Sequence, residues 1–211
     1  MEDPAALDPA FTAVLGDYEA RAKREDALMN SLTEQEFRQR VDEWLLPVGR
    51  AAGAFLNLLV KEAKPKRILE VGSSFGYSTT WLAEGARAVG GKVTSLELRS
   101  AKTEYATVQL KKAGLAEYVE FRIGDALASL KALPGPFDFV LIDLWKDMYV
   151  PVFALLHPKL APGALVVADN MTYPDSALAH ARAYRERVRA AEDMTSVLLP
   201  IGNGLELSRY R

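Results

Sequence analysis

From Pro65 onward, short β-rich runs alternate with helical ones, and this alternation limits the possible folds more than any other feature of the chain. Arg67–Val71, Lys92–Leu96, Val119–Ile123, Phe137–Ile142 and Ala164–Ala168 read as strands. Helical segments fall between and after them: one from Tyr77, one from Ser100 to Ala113, a short one to Leu133, one to about His157 and one from Asp175 to Ala191. Strands separated by helices cannot be joined by tight hairpins, so they lie parallel with helices on both faces. The last two runs depart from the pattern. Thr195–Leu199 and Leu205–Tyr210 are joined through the turn-rich Pro200-Ile201-Gly202-Asn203-Gly204, which predicts an antiparallel hairpin. The expected fold is α/β: a doubly wound, mostly parallel seven-stranded sheet ending in a β-hairpin.

The residues before Pro65 read as helices. Phe11–Met29 is charged with sparse apolar positions, and Thr33 with Glu36 forms a capping-box signature. Pro47 breaks the next pattern, and Arg50–Lys61 resumes it with an apolar face of Ala54, Phe55, Leu58 and Leu59. At 211 residues the chain suits one domain, a Rossmann-like core at 65–211 with helices at 1–64 covering its site. The absence of cysteine excludes disulfides, thiolate metal sites and cysteine nucleophiles, and a net charge of −2 offers no basic surface for nucleic acid. Met1-Glu2-Asp3-Pro4 lacks the apolar core of a signal peptide, and no apolar run reaches membrane-spanning length. A cytoplasmic enzyme, monomer or homodimer, is the expectation.

The chemistry lies where strands run out. Phe137–Ile142 ends on Asp143, and Ala164–Ala168 ends on Asp169 and Asn170. Strand ends line the ligand crevice of a parallel sheet. Two carboxylates and an amide oxygen make an all-oxygen site for a hard cation, Mg²⁺ or Ca²⁺. Lys146, three residues past Asp143, would sit beside whatever that cation holds. An isolated lysine at a helix start most simply snorkels to solvent, but its spacing from Asp143 favours catalysis.

Upstream, Glu70-Val71-Gly72-Ser73-Ser74-Phe75-Gly76-Tyr77-Ser78 is a strand, a glycine-bearing turn and a helix start. A dinucleotide fingerprint needs glycine where Ser74 stands, so that the backbone can meet a pyrophosphate. Glu70 is poorly placed for a phosphate and well placed for a cationic ligand such as S-adenosylmethionine, which carries an ammonium and a sulfonium. Gly72 permits the sharp turn, and Gly76 permits close approach of a ligand or the next element. Glu97, at the next strand end, suits ribose hydroxyls, and Gly124-Asp125-Ala126 suits an adenine edge.

Taken together, these motifs resemble the class I, metal-dependent O-methyltransferases, which include catechol O-methyltransferase and the caffeoyl-CoA O-methyltransferases. The resemblance runs from about Glu43 to Tyr210. Asp143-Leu144-Trp145-Lys146-Asp147-Met148-Tyr149 is similar to the segment carrying the metal aspartate, a tryptophan and the catalytic lysine. Glu43-Trp44-Leu45-Leu46-Pro47-Val48-Gly49 is similar to the segment that brings a tryptophan to the substrate and a backbone contact to the cofactor. Asp169-Asn170-Met171-Thr172-Tyr173-Pro174 resembles the loop whose proline gates the catechol ring. The ending Leu199-Pro200-Ile201-Gly202-Asn203-Gly204 is more like the bacterial and caffeoyl-CoA relatives.

The resemblance implies S-adenosylmethionine contacts at Val48, Glu70, Gly72, Ser74, Gly76, Tyr77 and Ser78, and at Glu97, Leu98, Asp125, Ala126, Asp143 and Trp145. It implies a divalent metal, Mg²⁺ before Ca²⁺ or Mn²⁺, on Asp143, Asp169 and Asn170. Trp44, Leu46, Lys146, Asn170, Tyr173 and Pro174 would meet a small-molecule catechol. One departure stands out: the sequence ends at Arg211 with no acid after the last strand, where the catechol enzyme has a glutamate for the second hydroxyl.

The implied reaction is O-methylation of one catechol hydroxyl, with the metal chelating both hydroxyls and Lys146 assisting deprotonation; a caffeoyl-CoA or natural-product acceptor is the alternative. A nicotinamide-dependent dehydrogenase is disfavoured by Ser74 and by the metal set, and a non-catalytic adenosyl-binding module by the intact Asp143, Lys146, Asp169 and Asn170. Trp81 reads as core, Asp147 as a solvated acid, His157 and His180 as surface or packing residues, and Arg182–Arg189 as a solvated helix face.

Overall fold

The computed structural model describes residues 8–211; the Met1–Pro4 segment read for a signal peptide lies outside them. Three helices come first, α1 (Pro9–Met29), α2 (Glu34–Gln39) and α3 (Arg50–Ala63). The order then runs β1 (Arg67–Val71), α4 (Tyr77–Val89), β2 (Lys92–Glu97), α5 (Ser100–Lys112), β3 (Val119–Ile123), α6 (Ala126–Ala132), β4 (Phe137–Ile142) and α7 (Tyr149–Leu156). It closes with β5 (Leu160–Ala168), α8 (Leu178–Arg189), β6 (Met194–Leu199) and β7 (Leu205–Tyr210). The seven strands form one sheet in the order β3-β2-β1-β4-β5-β7-β6. Strands β1 to β5 pair in parallel, and β7 runs antiparallel to both β5 and β6.

Period-two alternation divides the buried side chains between two faces. Ile68, Phe139, Leu141 and Val167 pack with α1, α3, α4 and α5. Leu69, Val71, Val140, Ile142, Val166 and Ala168 pack with α7 and α8. Each fully buried branched side chain contributes about 1.5–3 kcal/mol, and this two-sided burial makes the strand ends a rigid rim for a site.

Helix boundaries follow local chemistry. Thr33 and Glu36 form the expected capping box at the start of α2. Asp125 caps α6, its Oδ1 accepting from Ala128 N at 2.8 Å. The segment after β4 is a 3-10 turn, Lys146–Met148, before α7, and a second such turn, Asp175–Ala177, precedes α8. On α3 the apolar face differs from expectation. Ala52, Gly53, Leu56 and Val60 are buried, whereas Ala54 and Leu58 face solvent. Gly53 sets the rotation of the helix, because a Cβ there would lie 2.3 Å from the indole of Trp81. Trp81 is core, as expected.

Two further surface readings are tested by the packing. His157 stacks on Phe153 and meets Asp193 at 2.9 Å, a packing role. Arg182–Arg189 is not simply a solvated face: Arg189 donates to fully buried Glu206 on β7 at 3.0 Å, and Arg185 lies 3.4 Å from the same carboxylate. No helix among the described residues is long and apolar enough to cross a membrane.

Candidate active site at the strand ends

The β1–α4 turn is built around two close approaches. A Cβ on Gly72, at φ +96°, would stand 2.1 Å from the Asp143 carbonyl oxygen, so glycine lets the turn and the end of β4 touch. A Cβ on Gly76 would stand 2.5 Å from the Ala106 Cβ, which assigns that glycine to packing against α5. Ser74 takes the left-handed conformation at φ +47°. Its N–H donates to Glu97 Oε2 at 2.9 Å and its hydroxyl to Leu45 O at 3.2 Å. Glu97 Oε1 accepts from Arg99 N at 3.0 Å. Glu97 thereby ties the turn to the end of β2, and a carboxylate keeps further lone pairs for a ligand.

Glu70, expected to face a cationic ligand, is engaged within the protein by three hydroxyls. Its side chain is fully buried, and it accepts hydroxyl bonds from Ser78 at 2.7 Å, Thr79 at 2.6 Å and Ser95 at 2.6 Å. Burial pushes its carboxyl up to about 7 against the pull of those hydroxyls. Ser78, expected at the cofactor, directs its buried hydroxyl to Glu70. Tyr77 is buried and its hydroxyl donates to Glu19 at 3.0 Å, which directs the ring toward α1. Val48 is buried in the core on the same face of the sheet as α1, α3 and α4. Ala126 is half-buried, and Asp125 is exposed with one oxygen engaged as a helix cap.

Three large apolar side chains are exposed at the ends of β2, β3 and β4: Leu98, Ile123 and Trp145, the last at 62%. Exposed apolar surface concentrated on the ligand edge of a parallel sheet suits a flat ring such as adenine. Ile123 escaped the sequence reading because a strand-terminal isoleucine looks like any core residue.

At the neighbouring strand ends, Asp143 N donates to Val71 O at 2.9 Å and Asp169 N to Ile142 O at 3.1 Å. These bonds extend the parallel ladder and set the two aspartates side by side. Asp169 is 1% exposed, and its Oδ1 has no hydrogen-bond partner. Burial and the charge of Asp143 push Asp169 up to about 7, and burial raises Asp143 against the opposing pull of Lys146. Asn170 follows in the left-handed conformation, at φ +56°. Among the described residues no three His, Cys, Asp or Glu side chains converge on a metal site. Asp143 and Asp169 offer oxygen donors alone, and the buried Asp169 Oδ1 lacks a hydrogen-bond donor, a chemistry that suits a hard cation. Lys146 Nζ lies 3.5 Å from Asp143 Oδ1, and it donates to Leu144 O at 3.0 Å and to Tyr149 Oη at 2.6 Å.

The acceptor side differs from expectation at Trp44. The indole is 3% exposed, its Nε1 is unpartnered, and the Arg40 guanidinium lies 4.6 Å from the ring centroid, so Trp44 is covered and forms no open wall. Leu46, Tyr173 and Pro174 are exposed, Tyr173 at 60%. Asp147 and His180 are exposed, as expected.

Helix α1 supplies supports that sequence reading missed. Tyr18 donates to Phe75 O at 2.6 Å, and the Arg21 guanidinium lies 3.9 Å from the Phe75 ring centroid. Glu25 Oε2 accepts from Leu45 N at 2.6 Å. Asp42 pairs with Arg99 at 2.7 Å. Together these hold the 42–46 segment over the glycine-bearing turn. The available signal was a set of polar residues one turn apart, Tyr18, Arg21 and Glu25, on a helix with little apolar character.

A family model described as O-methyltransferase matches residues 19–211. The chain is 39% identical over 127 residues to a protein of Mycobacterium tuberculosis named catechol O-methyltransferase, covering 60% of this chain and 57% of that relative. The chain thus spans little more than half of that relative's length. It is 30% identical over 177 residues to caffeoyl-CoA O-methyltransferase 1 of Eucalyptus globulus, covering 74% and 72% of the two chains. Among solved structures, an O-methyltransferase from Bacillus cereus in complex with SAH superposes with a TM-score of 0.75 at 26% identity, covering 99% of this chain and 93% of that one.

Proposed function

The chain belongs to the O-methyltransferase family, and on that premise we propose that it transfers the methyl group of S-adenosylmethionine to one hydroxyl of a catechol. The observation that carries this reading is the buried, unpartnered Asp169 Oδ1 set beside Asp143 and Lys146. An ionised oxygen in such a place is costly unless a cation or donor completes it. Asp143, Asp169 and Asn170 would hold a divalent cation, Mg²⁺ first, with Ca²⁺ and Mn²⁺ also suited to oxygen donors. When bound, the cation supplies positive charge that favours the ionised form of a bound diol.

The chain's own residues do the remaining work. The turn at Gly72–Gly76 and Glu97 hold the cofactor, and Leu98, Ile123 and Trp145 shield its ring. The acceptor oxygen attacks the methyl carbon while the carbon–sulfur bond breaks, the bonding pair passing to sulfur. Lys146 Nζ accepts the departing hydroxyl proton or, staying charged, stabilises the phenolate. A phenol of pKa near ~10 needs such help at neutral pH. Leu46, Tyr173 and Pro174 orient the ring.

A larger conjugated catechol, such as a caffeoyl thioester, is the second reading. It is supported by the greater share of the chain matched by the caffeoyl-CoA relative, and by a covered Trp44 and an exposed Tyr173. The test is methyl transfer to small catechols, caffeoyl derivatives and monophenols, with Mg²⁺ and with EDTA. Metal-dependent turnover of vicinal diols alone is expected, and the better acceptor class decides between the readings. Turnover indifferent to EDTA, or equal on monophenols, overturns the chelation reading.

A further inference from the structure

Three oxygens surround the Lys146 ammonium, matching its three N–H donors: Tyr149 Oη at 2.6 Å, Leu144 O at 3.0 Å and Asp143 Oδ1 at 3.5 Å. The nearest is a phenol. Lys146 opens the 3-10 turn after β4 and Tyr149 opens α7, so the two side chains are one turn apart on the same side. Tyr149 is fully buried, with its ring edge-on to Tyr184 at 5.4 Å between centroids. Its hydroxyl points toward Ile142 O at 3.0 Å and Asp169 O at 3.1 Å.

A phenol has one proton and two lone pairs. With the proton directed at the two carbonyls, a lone pair is left facing Lys146. One hydroxyl therefore joins the last residue of β4, the Asp169 backbone and the lysine ammonium. A tyrosine that only filled the core would need a single partner for its hydroxyl, and either carbonyl would serve. The bond to Lys146 is additional to that need, and a charge-assisted bond is the strongest of the set.

We propose that Tyr149 is a positioning residue: its buried hydroxyl fixes Lys146 Nζ in register with Asp143 and Asp169, so that the lysine meets the reacting oxygen at a set place. This rests on the reading of Lys146 as the catalytic lysine. The side chain need not touch substrate. It acts by removing the freedom of a long, flexible amine, whose rotamers would otherwise average its position over several ångströms.

The test is Tyr149→Phe, which keeps the ring in the core, while Ile142 O retains its bond from Asp169 N. With Mg²⁺ and a catechol acceptor, kcat is expected to fall roughly tenfold or more, with KM for S-adenosylmethionine and its measured affinity unchanged. In a Lys146→Met background the same substitution is expected to change kcat no further. An unchanged kcat, or an undiminished effect without the lysine, overturns the proposal.

A second arm needs no turnover. In metal-free protein labelled with 15N-lysine, ammonium-selective NMR should show a slowly exchanging resonance that Lys146→Met deletes and Tyr149→Phe broadens away. Its absence from the parent, or its persistence in Tyr149→Phe, overturns the held ammonium. Because this arm reads the contact directly, failure of methyl transfer on every diol is distinguishable from failure of the positioning role.

Discussion

Gly72 and Asp143 touch through their backbones: a Cβ on Gly72 would stand 2.1 Å from the Asp143 carbonyl oxygen and 2.8 Å from its carbonyl carbon. The glycine-bearing turn after β1 and the end of β4 are thus one rigid contact, with no side chain between them to yield. Gly72→Ala must either push β4 back or reshape the turn, and it also places a Cβ at φ +96°. A loss of about 2 kcal/mol or more is expected from backbone strain alone. Urea unfolding checks the loss, and titration with S-adenosylmethionine should show affinity falling in parallel. Normal affinity in a destabilised variant would separate the two ends of the contact.

Asp169 is expected to cost the metal-free protein stability while serving its chemistry. Its Oδ1 is buried without a partner, and burial with the Asp143 charge pushes the carboxyl up to about 7. Asp169→Asn removes the charge and keeps the shape. Above neutral pH the metal-free variant should be more stable than the parent by about 1–2 kcal/mol, with catechol methylation lost. Thermal melts with and without Mg²⁺ check this: the parent should gain in Tm on adding metal, and the variant should not.

The parts legible in sequence were those encoded by periodicity along one segment. Hydrophobic runs that stop at Asp143 and at Asp169 announce strand ends, and a parallel sheet brings such ends to one edge, so the meeting of the two aspartates could be read without coordinates. The direction in which a side chain turns was not legible. Trp44 is covered by Arg40, a choice made by the packing of the 40–48 segment, which leaves no trace in residue spacing. Glu70 looked available to a ligand because two of its three hydroxyl partners lie on the next helix and the third, Ser95, lies on another strand. Arg185 and Arg189 looked solvated because their partner, Glu206, is on β7, beyond any helical pattern.

That last contact makes its own prediction. Glu206 is fully buried, bonded by Arg189 at 3.0 Å and by the Ser196 hydroxyl, with Arg185 at 3.4 Å. Removing the acid leaves two guanidinium groups against a buried wall between α8 and the hairpin. Glu206→Ala is expected to cost about 3 kcal/mol or more, the usual result of breaking a buried pair from its acidic side. Arg189→Ala should cost much less, because that arginine is 44% exposed and Arg185 remains. Chemical unfolding of the two variants side by side gives the ranking, and equal losses would contradict it.

The pH dependence of stability should carry the signature of Glu70. Its carboxyl stands at about 7 in the folded protein against an ordinary 4.5, chiefly through burial. A folded-state value above the unfolded one means that the native protein holds this proton more tightly than the unfolded chain does. The resulting contribution is fully present below about 4.5 and is lost as pH rises through about 7. The span corresponds to on the order of 3 kcal/mol for a group with no exposure. Glu70→Gln cannot ionise, and its amide can still bond the hydroxyls of Ser78, Thr79 and Ser95. Urea unfolding from about pH 5 to about pH 8 should therefore show the parent losing stability relative to Glu70→Gln as pH rises. Parallel curves would mean that Glu70 is ionised throughout, held by its three hydroxyls against the cost of burial.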